Sequence, residues 1–126
     1  MKIVVMKFGG SSVADVSKIQ NVAKIVAENS KKNKILVVLS AMFGVTNKLQ
    51  TYIDEVNYHP SPETDMIMTS GEQVSVGLLS MILNKQKVKS IPLLGWQVPI
   101  LTDESYEKGK ILNINTCHLM PELGND

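Results

Sequence analysis

Arginine is absent from this 126-residue chain, and all 13 of its basic residues are lysines. Arginine usually clamps a carboxylate or a phosphate through two parallel hydrogen bonds, whereas lysine offers one compact charge. Any phosphate chemistry here would therefore depend on lysine, backbone amides or a metal ion. The basic residues are balanced by 12 acidic ones, and the formal net charge is only +1. That balance gives no electrostatic footprint for nucleic acid or for an acidic membrane surface.

Cysteine and long apolar runs are also scarce. The single cysteine, Cys117, excludes an internal disulfide framework and a cysteine-rich zinc site. No continuous apolar run approaches the roughly 18 residues of a membrane span. The first run, Ile3 to Met6, ends at Lys7 and is too short for a secretory signal. We therefore expect a cytoplasmic protein with no membrane partner.

The hydrophobic content of 44% suits one globular domain, and its patterning predicts the α/β class. Lys2 to Phe8 and Ile35 to Leu39 contain consecutive apolar residues, typical of parallel strands that are buried on both faces. Between them, apolar residues recur at a spacing of three or four, which predicts one helical stripe: Val13, Val16, Ile19, Val22, Ile25 and Val26. Two parallel strands joined by a helix form a βαβ unit.

The second half of the chain predicts further alternation of helices and strands. A second helix is expected after residue 45, and His59 to Pro62 predicts a connector. A short helix over 63–69 is followed by another, opened by a capping box from Ser70 to Gln73. Three more strands are expected, at Val88 to Leu94, Val98 to Leu101 and Lys110 to Ile114.

The junction between the first strand and the first helix carries the clearest chemistry. Gly9 and Gly10 let a ligand approach the backbone closely, and Lys7 adds a positive charge. Ser12 is the expected N-cap of the helix, whose first amides would attract an anion. The junction lacks the Gly-Lys-Ser/Thr end of a P-loop and the third glycine of a dinucleotide fingerprint. The alternative interpretation is an ordinary strand-to-helix turn beside an incidental lysine.

Two other segments are candidates for substrate binding. Ser40 to Asn47 follows the second strand, and ligands of open α/β sheets collect at the carboxyl ends of strands. The alternative is that Thr46 or Asn47 simply caps the second helix. Glu72 could present its carboxylate to an amine, or it could only interact favourably with the dipole of a helix that begins nearby.

Taken together, these segments resemble the N-terminal half of an aspartate kinase, a member of the amino acid kinase family. The resemblance lies in Lys7-Phe-Gly-Gly-Ser-Ser-Val13, Ser40-Ala-x-x-Gly-x-Thr-Asn47 and Ser70-Gly-Glu72, with Gly95-Trp-Gln97 and Leu101-Thr-Asp103 also similar. It covers about residues 2 to 116. It implies a partial amino-acid-kinase-like fold, with a mostly parallel sheet flanked by helices. Sister kinases share the Lys-x-Gly-Gly turn but differ at the second motif, which points to aspartate.

The resemblance also implies roles for individual residues. The family makes 4-phospho-L-aspartate from ATP, with Mg, and L-aspartate, on the route to lysine, threonine and methionine. Lys7 would neutralise the transferring phosphoryl group, and the amides of Gly9, Gly10 and Ser11 would hold phosphates. Ser40 and Thr46 would contact aspartate, and Glu72 would bind its ammonium group. Serine stands at position 11 where the family more often has threonine, which keeps the hydroxyl.

One departure from the family bears on activity. The family's Gly-Arg-Gly-Gly-Ser-Asp stretch, whose arginine clamps aspartate, is absent, as are the ligands for Mg-ATP that accompany it. We therefore expect residues 1–126 to be the truncated substrate side of a catalytic domain, with the nucleotide half and the regulatory domains missing. A complementing chain would then have to supply the nucleotide site. The alternative is a non-catalytic remnant that self-associates as a homo-oligomer.

Overall fold

A computed structural model describes residues 1–57 and 59–124, except for the side chain of residue 118. Strands and helices alternate, and the predicted α/β class is confirmed. The elements in chain order are β1 (Lys2–Phe8), a 3₁₀ turn (Gly10–Val13), α1 (Val16–Ser30), β2 (Asn33–Leu39), α2 (Val45–Val56), α3 (Pro62–Lys85), a 3₁₀ turn (Gly95–Gln97), β3 (Ile100–Thr102), β4 (Ile111–Ile114), a 3₁₀ turn (Thr116–His118) and α4 (Leu119–Leu123).

The two predicted N-terminal strands form a parallel pair, in register from Lys2 opposite Asn33 to Phe8 opposite Leu39. The βαβ unit is therefore confirmed, but burial on both faces is wrong. Met6, Phe8 and their inward-facing neighbours on β2 pack against the core, whereas Val5 is 61% exposed and Val38 is 46% exposed. The reason is that α1 and α3, the helices that pack on this pair, both contribute to a core on one face of it.

The core lies between α1 and α3 over the inner face of the sheet. Its buried apolar residues are Val13, Ile19, Val22, Ala23, Val26, Leu79 and Leu83. The predicted stripe is thus mostly correct, although Val16 and Ile25 are about half exposed. Burial of these side chains, at about 25 cal/mol per Å² of apolar surface, is the main attraction that holds α3 on the βαβ unit.

The first helix begins later than predicted. The chain makes a 3₁₀ turn after Gly9, in which the Ser12 amide donates to the Gly9 carbonyl (2.9 Å). The N-cap of α1 is Asp15, whose carboxylate accepts from the Lys18 amide (2.8 Å). Ser12 as N-cap is therefore wrong, because residues 10–13 form the 3₁₀ turn and α1 begins only at Val16, directly after Asp15.

Residues 62–85 form one continuous helix, so the predicted break before Ser70 is wrong. The capping box lies at Ser61 and Thr64 instead, with the Ser61 amide donating to Thr64 Oγ1 (3.0 Å). Pro62 follows at the first helical position, where proline is favourable. Ser70 is an interior residue whose hydroxyl donates to the Ile67 carbonyl (2.6 Å). Glu72 consequently lies inside a helix and not in a first turn.

By length and composition, α3 is the one helix in the described part of the chain that could cross a membrane. It packs on α1, α2 and β2 through the buried residues Gly71, Ser75, Leu79 and Leu83. Core helices of globular proteins pass the same test of length and composition. Because α3 packs on the rest of the fold through these buried residues, its length and composition are weak evidence for a membrane span.

The predicted strand at Val88 to Leu94 is wrong, because this segment has no strand partner within residues 1–57 and 59–124. The side chain of Asn84 satisfies the backbone of Ser90 instead, accepting from its amide (3.0 Å) and donating to its carbonyl (3.1 Å). The hydroxyls of Ser80 and Ser90 lie 2.9 Å apart. These polar contacts fasten the segment to the end of α3.

The last two predicted strands are confirmed as a shorter antiparallel pair, β3 and β4. The Asp103 carboxylate closes their connection by accepting from the amides of Ser105 (3.1 Å) and Lys110 (3.2 Å). A third bond, from the Glu107 amide to Asp65 Oδ1 (3.1 Å), ties the connection to α3.

Candidate functional site

The carboxyl ends of β1 and β2 bring the glycine turn and the segment 40–45 into contact. The Ser40 amide donates to the Phe8 carbonyl (3.1 Å) and extends the parallel ladder by one residue. A Cβ at position 10 would lie 3.3 Å from the Ala41 carbonyl oxygen. The absence of a side chain on Gly10 therefore lets the two segments lie side by side. Lys7, Gly9, Gly10, Ser11 and Ser40 all lie at this edge.

The middle of helix α3 packs against the same edge of the sheet. A Cβ at Gly71 would lie 2.9 Å from the Ala41 Cβ and 3.2 Å from Cγ1 of Val45, so the helix approaches more closely than any other residue would allow. The buried Ser75 hydroxyl donates to the Ser40 carbonyl (2.7 Å) one helical turn further on. The half-buried Glu72 lies between Gly71 and Ser75 in sequence, on the part of α3 that these two contacts hold against the Ser40 segment.

Thr46 belongs to the same edge, but it does not cap α2. The N-cap is Gly44, in the left-handed region with φ 78°, and no side chain caps this helix. Thr46 is the second helical residue, and its side chain is exposed. Since Val45 contacts the position of Gly71, the first turn of α2 lies against α3. All seven residues predicted for the site therefore lie on segments that contact one another.

The candidate side chains have no partners in the described residues. Within residues 1–57 and 59–124, the side chains of Lys7, Ser11, Ser40, Thr46 and Glu72 make no hydrogen bond or ion pair. Each can therefore bind a ligand without first breaking a bond inside the protein. A positive charge, three hydroxyls and a carboxylate are thus available at one edge of the fold.

Two carboxyl groups outside this edge of the fold, those of Glu63 and Asp103, have a lowered pKa. The pKa of Glu63, at the start of α3, is lowered by a hydrogen bond from the Ser61 hydroxyl and by one from the backbone amide of Glu63 itself. The amides of Ser105 and Lys110 lower the pKa of Asp103 in the hairpin. Both carboxyl groups have structural partners, which accounts for their shifts.

The site fits a phosphate group better than a metal ion. The first amides of the turn at Gly10 and the charge of Lys7 suit an anion. The end of α1 does not contribute as predicted, because the Asp15 carboxylate occupies its N-terminus. Across the described part of the chain, no group of three or more His, Cys, Asp or Glu residues could hold a metal ion. A magnesium ion at this edge would need ligands that these residues do not supply.

Sequence reasoning missed the residues that assemble the site, which are Ala41, Gly71 and Ser75. Gly71 offered a signal, because a glycine inside a helical pattern often marks close packing. Ser75 offered none, since a serine in an apolar helix has no pattern that indicates its partner. Its contact with Ser40, 35 residues away, depends on the tertiary fold.

Comparisons with known proteins agree with the sequence resemblance. The chain matches the amino acid kinase family over residues 2–124. It is 41% identical over 121 residues to an aspartokinase from Geobacillus stearothermophilus, covering 94% of this chain and 30% of that protein. It is 40% identical over 125 residues to an aspartokinase from Pseudomonas aeruginosa, covering 98% of this chain and 30% of that one. The chain thus spans about 30% of the length of these relatives.

Solved structures show the same relationship. The crystal structure of an aspartate kinase from Synechocystis has a TM-score of 0.72 and 39% identity, covering 76% of this chain and 17% of that one. The structure of E. coli aspartokinase III in complex with aspartate and ADP has a TM-score of 0.75 over 98% of this chain and 38% of that one. At 21% identity, the second likeness concerns the fold only. The chain belongs to the amino acid kinase family.

Proposed function

We propose that this chain forms the aspartate-binding, phosphate-facing part of an aspartate kinase, which transfers the γ-phosphoryl group of ATP to the side-chain carboxylate of L-aspartate. The observation that carries the proposal is the convergence of the glycine turn, the Ser40 segment and α3 at one edge of the fold. Its side chains form a set that matches a phosphate beside an amino acid. The aspartokinase relatives, about 40% identical, support the choice of substrate.

Each residue has a role in this proposal. Lys7 neutralises charge on the transferring phosphoryl group, and the amides of Gly9, Gly10 and Ser11 hold phosphate oxygens. The hydroxyls of Ser40 and Thr46 bind carboxylate oxygens of aspartate. Such transfer depends mainly on positioning and charge neutralisation.

Glu72 completes the substrate site by accepting hydrogen bonds from the ammonium group of aspartate. Its half-buried position strengthens an ion pair relative to one in bulk water. The acceptor is already a carboxylate, so the reaction needs no strong general base.

ATP would bring magnesium, which neutralises phosphate charge when bound. The described residues fit the phosphates but not the metal, so magnesium and the nucleotide base would be held by residues outside this set. We propose that residues 1–126 are the substrate side of the catalytic domain and that another chain or segment completes it. The reaction would take place in the cytoplasm.

The test is a comparison of L-aspartate with succinate, which lacks the ammonium group. Both are titrated into the ¹⁵N-labelled chain while amide shifts are followed. We expect L-aspartate to bind weakly, at about the millimolar level, and more tightly than succinate. Glu72→Gln should remove this preference, whereas Glu55→Gln on the exposed side of α2 should leave it unchanged. Equal binding of the two ligands to the unaltered chain would refute the assignment of Glu72.

A non-catalytic, self-associating role is the second candidate. The observation that favours it is the uncovered outer face of β1 and β2, where Ile3, Val5 and Val38 are about half exposed or more. Light scattering over a concentration series, together with the aspartate titration, distinguishes the two functions. Self-association without any aspartate binding would favour the second.

A further inference from the structure

Ser75 is the most deeply buried polar residue of α3, and its contacts lie beside the proposed aspartate site. Its side chain is 0% exposed. Its hydroxyl donates to the Ser40 carbonyl at 2.7 Å, while its oxygen also lies 3.0 Å from the Glu72 carbonyl oxygen one helical turn back. One hydroxyl therefore contacts the backbone of Ser40 and of Glu72, two of the three residues that the proposed function places on aspartate.

The bond from Ser75 to Ser40 is a fixed link between separate parts of the fold. Ser40 follows β2, and Glu72 lies on α3, so the distance between their side chains depends on how the helix sits on the strand end. The Gly71 contact sets the separation between α3 and Ala41. Packing contacts alone, however, do not fix the position of the Ser40 segment along the axis of α3. A short hydrogen bond from a buried donor adds direction, because its strength falls steeply with misalignment. The bond therefore fixes Ser40 along the helix axis.

We propose that Ser75 is a positioning residue for the aspartate site, which holds the Ser40 hydroxyl at the right separation from the Glu72 carboxylate. This inference rests on the proposed function. Ser75 itself has no exposed surface and does not touch a ligand. Its removal leaves the Ser40 carbonyl without its partner on α3 and frees the segment to shift.

The experiment compares Ser75→Ala with Ser80→Ala in the full 126-residue chain. Ser80 is the matched control, because it lies on the same helix and is 7% exposed. Ser80→Ala also removes a hydrogen-bonded hydroxyl, which lies 2.9 Å from the Ser90 hydroxyl and accepts from the Asn84 side-chain amide (3.3 Å). L-aspartate is titrated into each labelled protein, and unfolding by urea measures stability. The ¹³C shift of the Ser40 carbonyl reports its hydrogen bond directly.

We expect Ser75→Ala to weaken L-aspartate binding about fivefold to tenfold and to move the Ser40 carbonyl shift. Ser80→Ala should lose stability while keeping both the affinity and that shift. If Ser75→Ala does not fold, Ser75→Cys replaces it, since the slightly larger thiol leaves no cavity and is a weaker donor.

The outcomes separate the inference from the function on which it rests. If the unaltered chain binds aspartate and the Ser75 variant binds it equally well, the positioning role is refuted and the proposed function stands. If Ser75→Ala and Ser80→Ala weaken binding equally, Ser75 acts only through stability and the inference is wrong. If both Ser75 variants fail to fold, Ser75 is a folding residue and the inference is again wrong. If the unaltered chain binds no aspartate, the proposed function fails, and the inference fails with it.

Discussion

Replacing Gly71 with alanine tests the packing that assembles the candidate site. Alanine is the better helix former, by about 1 kcal/mol in a helix interior, so propensity predicts a stabilised protein. The structure predicts the opposite sign, because the new Cβ would lie 2.9 Å from the Ala41 Cβ and 3.2 Å from Val45 Cγ1. Ala41 cannot rotate away, since its Cβ is attached directly to the backbone. The Ser40 segment or the helix must therefore move.

The magnitude follows from the two opposing effects. Overpacking of a well-filled contact costs about 1–3 kcal/mol, which exceeds the gain in helix propensity of about 1 kcal/mol. We expect Gly71→Ala to lower the free energy of unfolding by up to about 2 kcal/mol. Gly77 in the same helix is the control, because nothing lies within 4 Å of a Cβ built there. Gly77→Ala should therefore raise the free energy of unfolding by about 0.5–1 kcal/mol.

Urea unfolding of the three proteins, followed by circular dichroism, measures both changes. The two variants should differ by about 0.5–3 kcal/mol, with opposite signs relative to the parent chain. Amide shifts of residues 40–45 should move in Gly71→Ala and stay unchanged in Gly77→Ala. Stabilisation of Gly71→Ala to the level of Gly77→Ala would show that α3 does not pack closely on Ala41, and the assembly of the site would be wrong.

Four further predictions concern the site, the hairpin and the sheet. The chain alone should not phosphorylate aspartate detectably in a hydroxamate assay, because no described cluster holds magnesium; turnover that Lys7→Ala abolishes would contradict this. Phosphate should bind at about the millimolar level and shift the amides of residues 9–12. Lys7→Ala should weaken that binding and Lys2→Ala, at the other end of β1, should not. The pKa of Asp103 is lowered in the folded chain, so its contribution to hairpin stability is present above the unfolded value of about 3.9 and is lost as pH falls through the folded pKa. The amide shifts of Ser105 and Lys110 should follow this loss and become insensitive to pH in Asp103→Asn. Light scattering should detect association through the exposed outer face, and Val5→Lys should reduce it; a monomer at all concentrations would refute this.

Strands β1 and β2 and the edge at which they end together were predictable because both depend on local patterns. Continuous apolar runs marked β1 and β2, and the change to helical spacing marked α1. Once two parallel strands are assigned, their carboxyl ends must meet at one edge, which brings the glycine turn and Ser40 together. Glu72 was named from the resemblance to aspartate kinases. The packing of its helix on the Ser40 segment depends on the contacts of Gly71 and Ser75, which the resemblance did not supply.

The errors arose where two local signals competed or where a distant contact decided the structure. Ser12 and Asp15 are both good N-caps, and the 3₁₀ turn after Gly9 decides between them. Val88 to Leu94 has a strand-like composition, but an amide side chain, Asn84, satisfies Ser90 in place of a strand. The outer face of the sheet looked buried because consecutive apolar residues do not reveal which face a helix covers.

At this edge of the fold, the buried polar side chains have hydrogen-bond partners within the protein, whereas the candidate ligand-binding side chains have none in the part of the chain that the structure describes. In the described residues, no buried side-chain nitrogen or oxygen lacks a hydrogen-bond partner, and small residues make the contacts that join the three segments. The candidate side chains of Lys7, Thr46 and Glu72 have no such partners and lie at least partly in solvent. Stability and ligand binding therefore depend on different residues of the same edge. Because a buried group without its partner costs about 1–3 kcal/mol, changes to Ser75 should affect folding as well as binding. Changes to Lys7 or Thr46 should affect ligands with little effect on unfolding, since these groups lose no protein contact when they are removed.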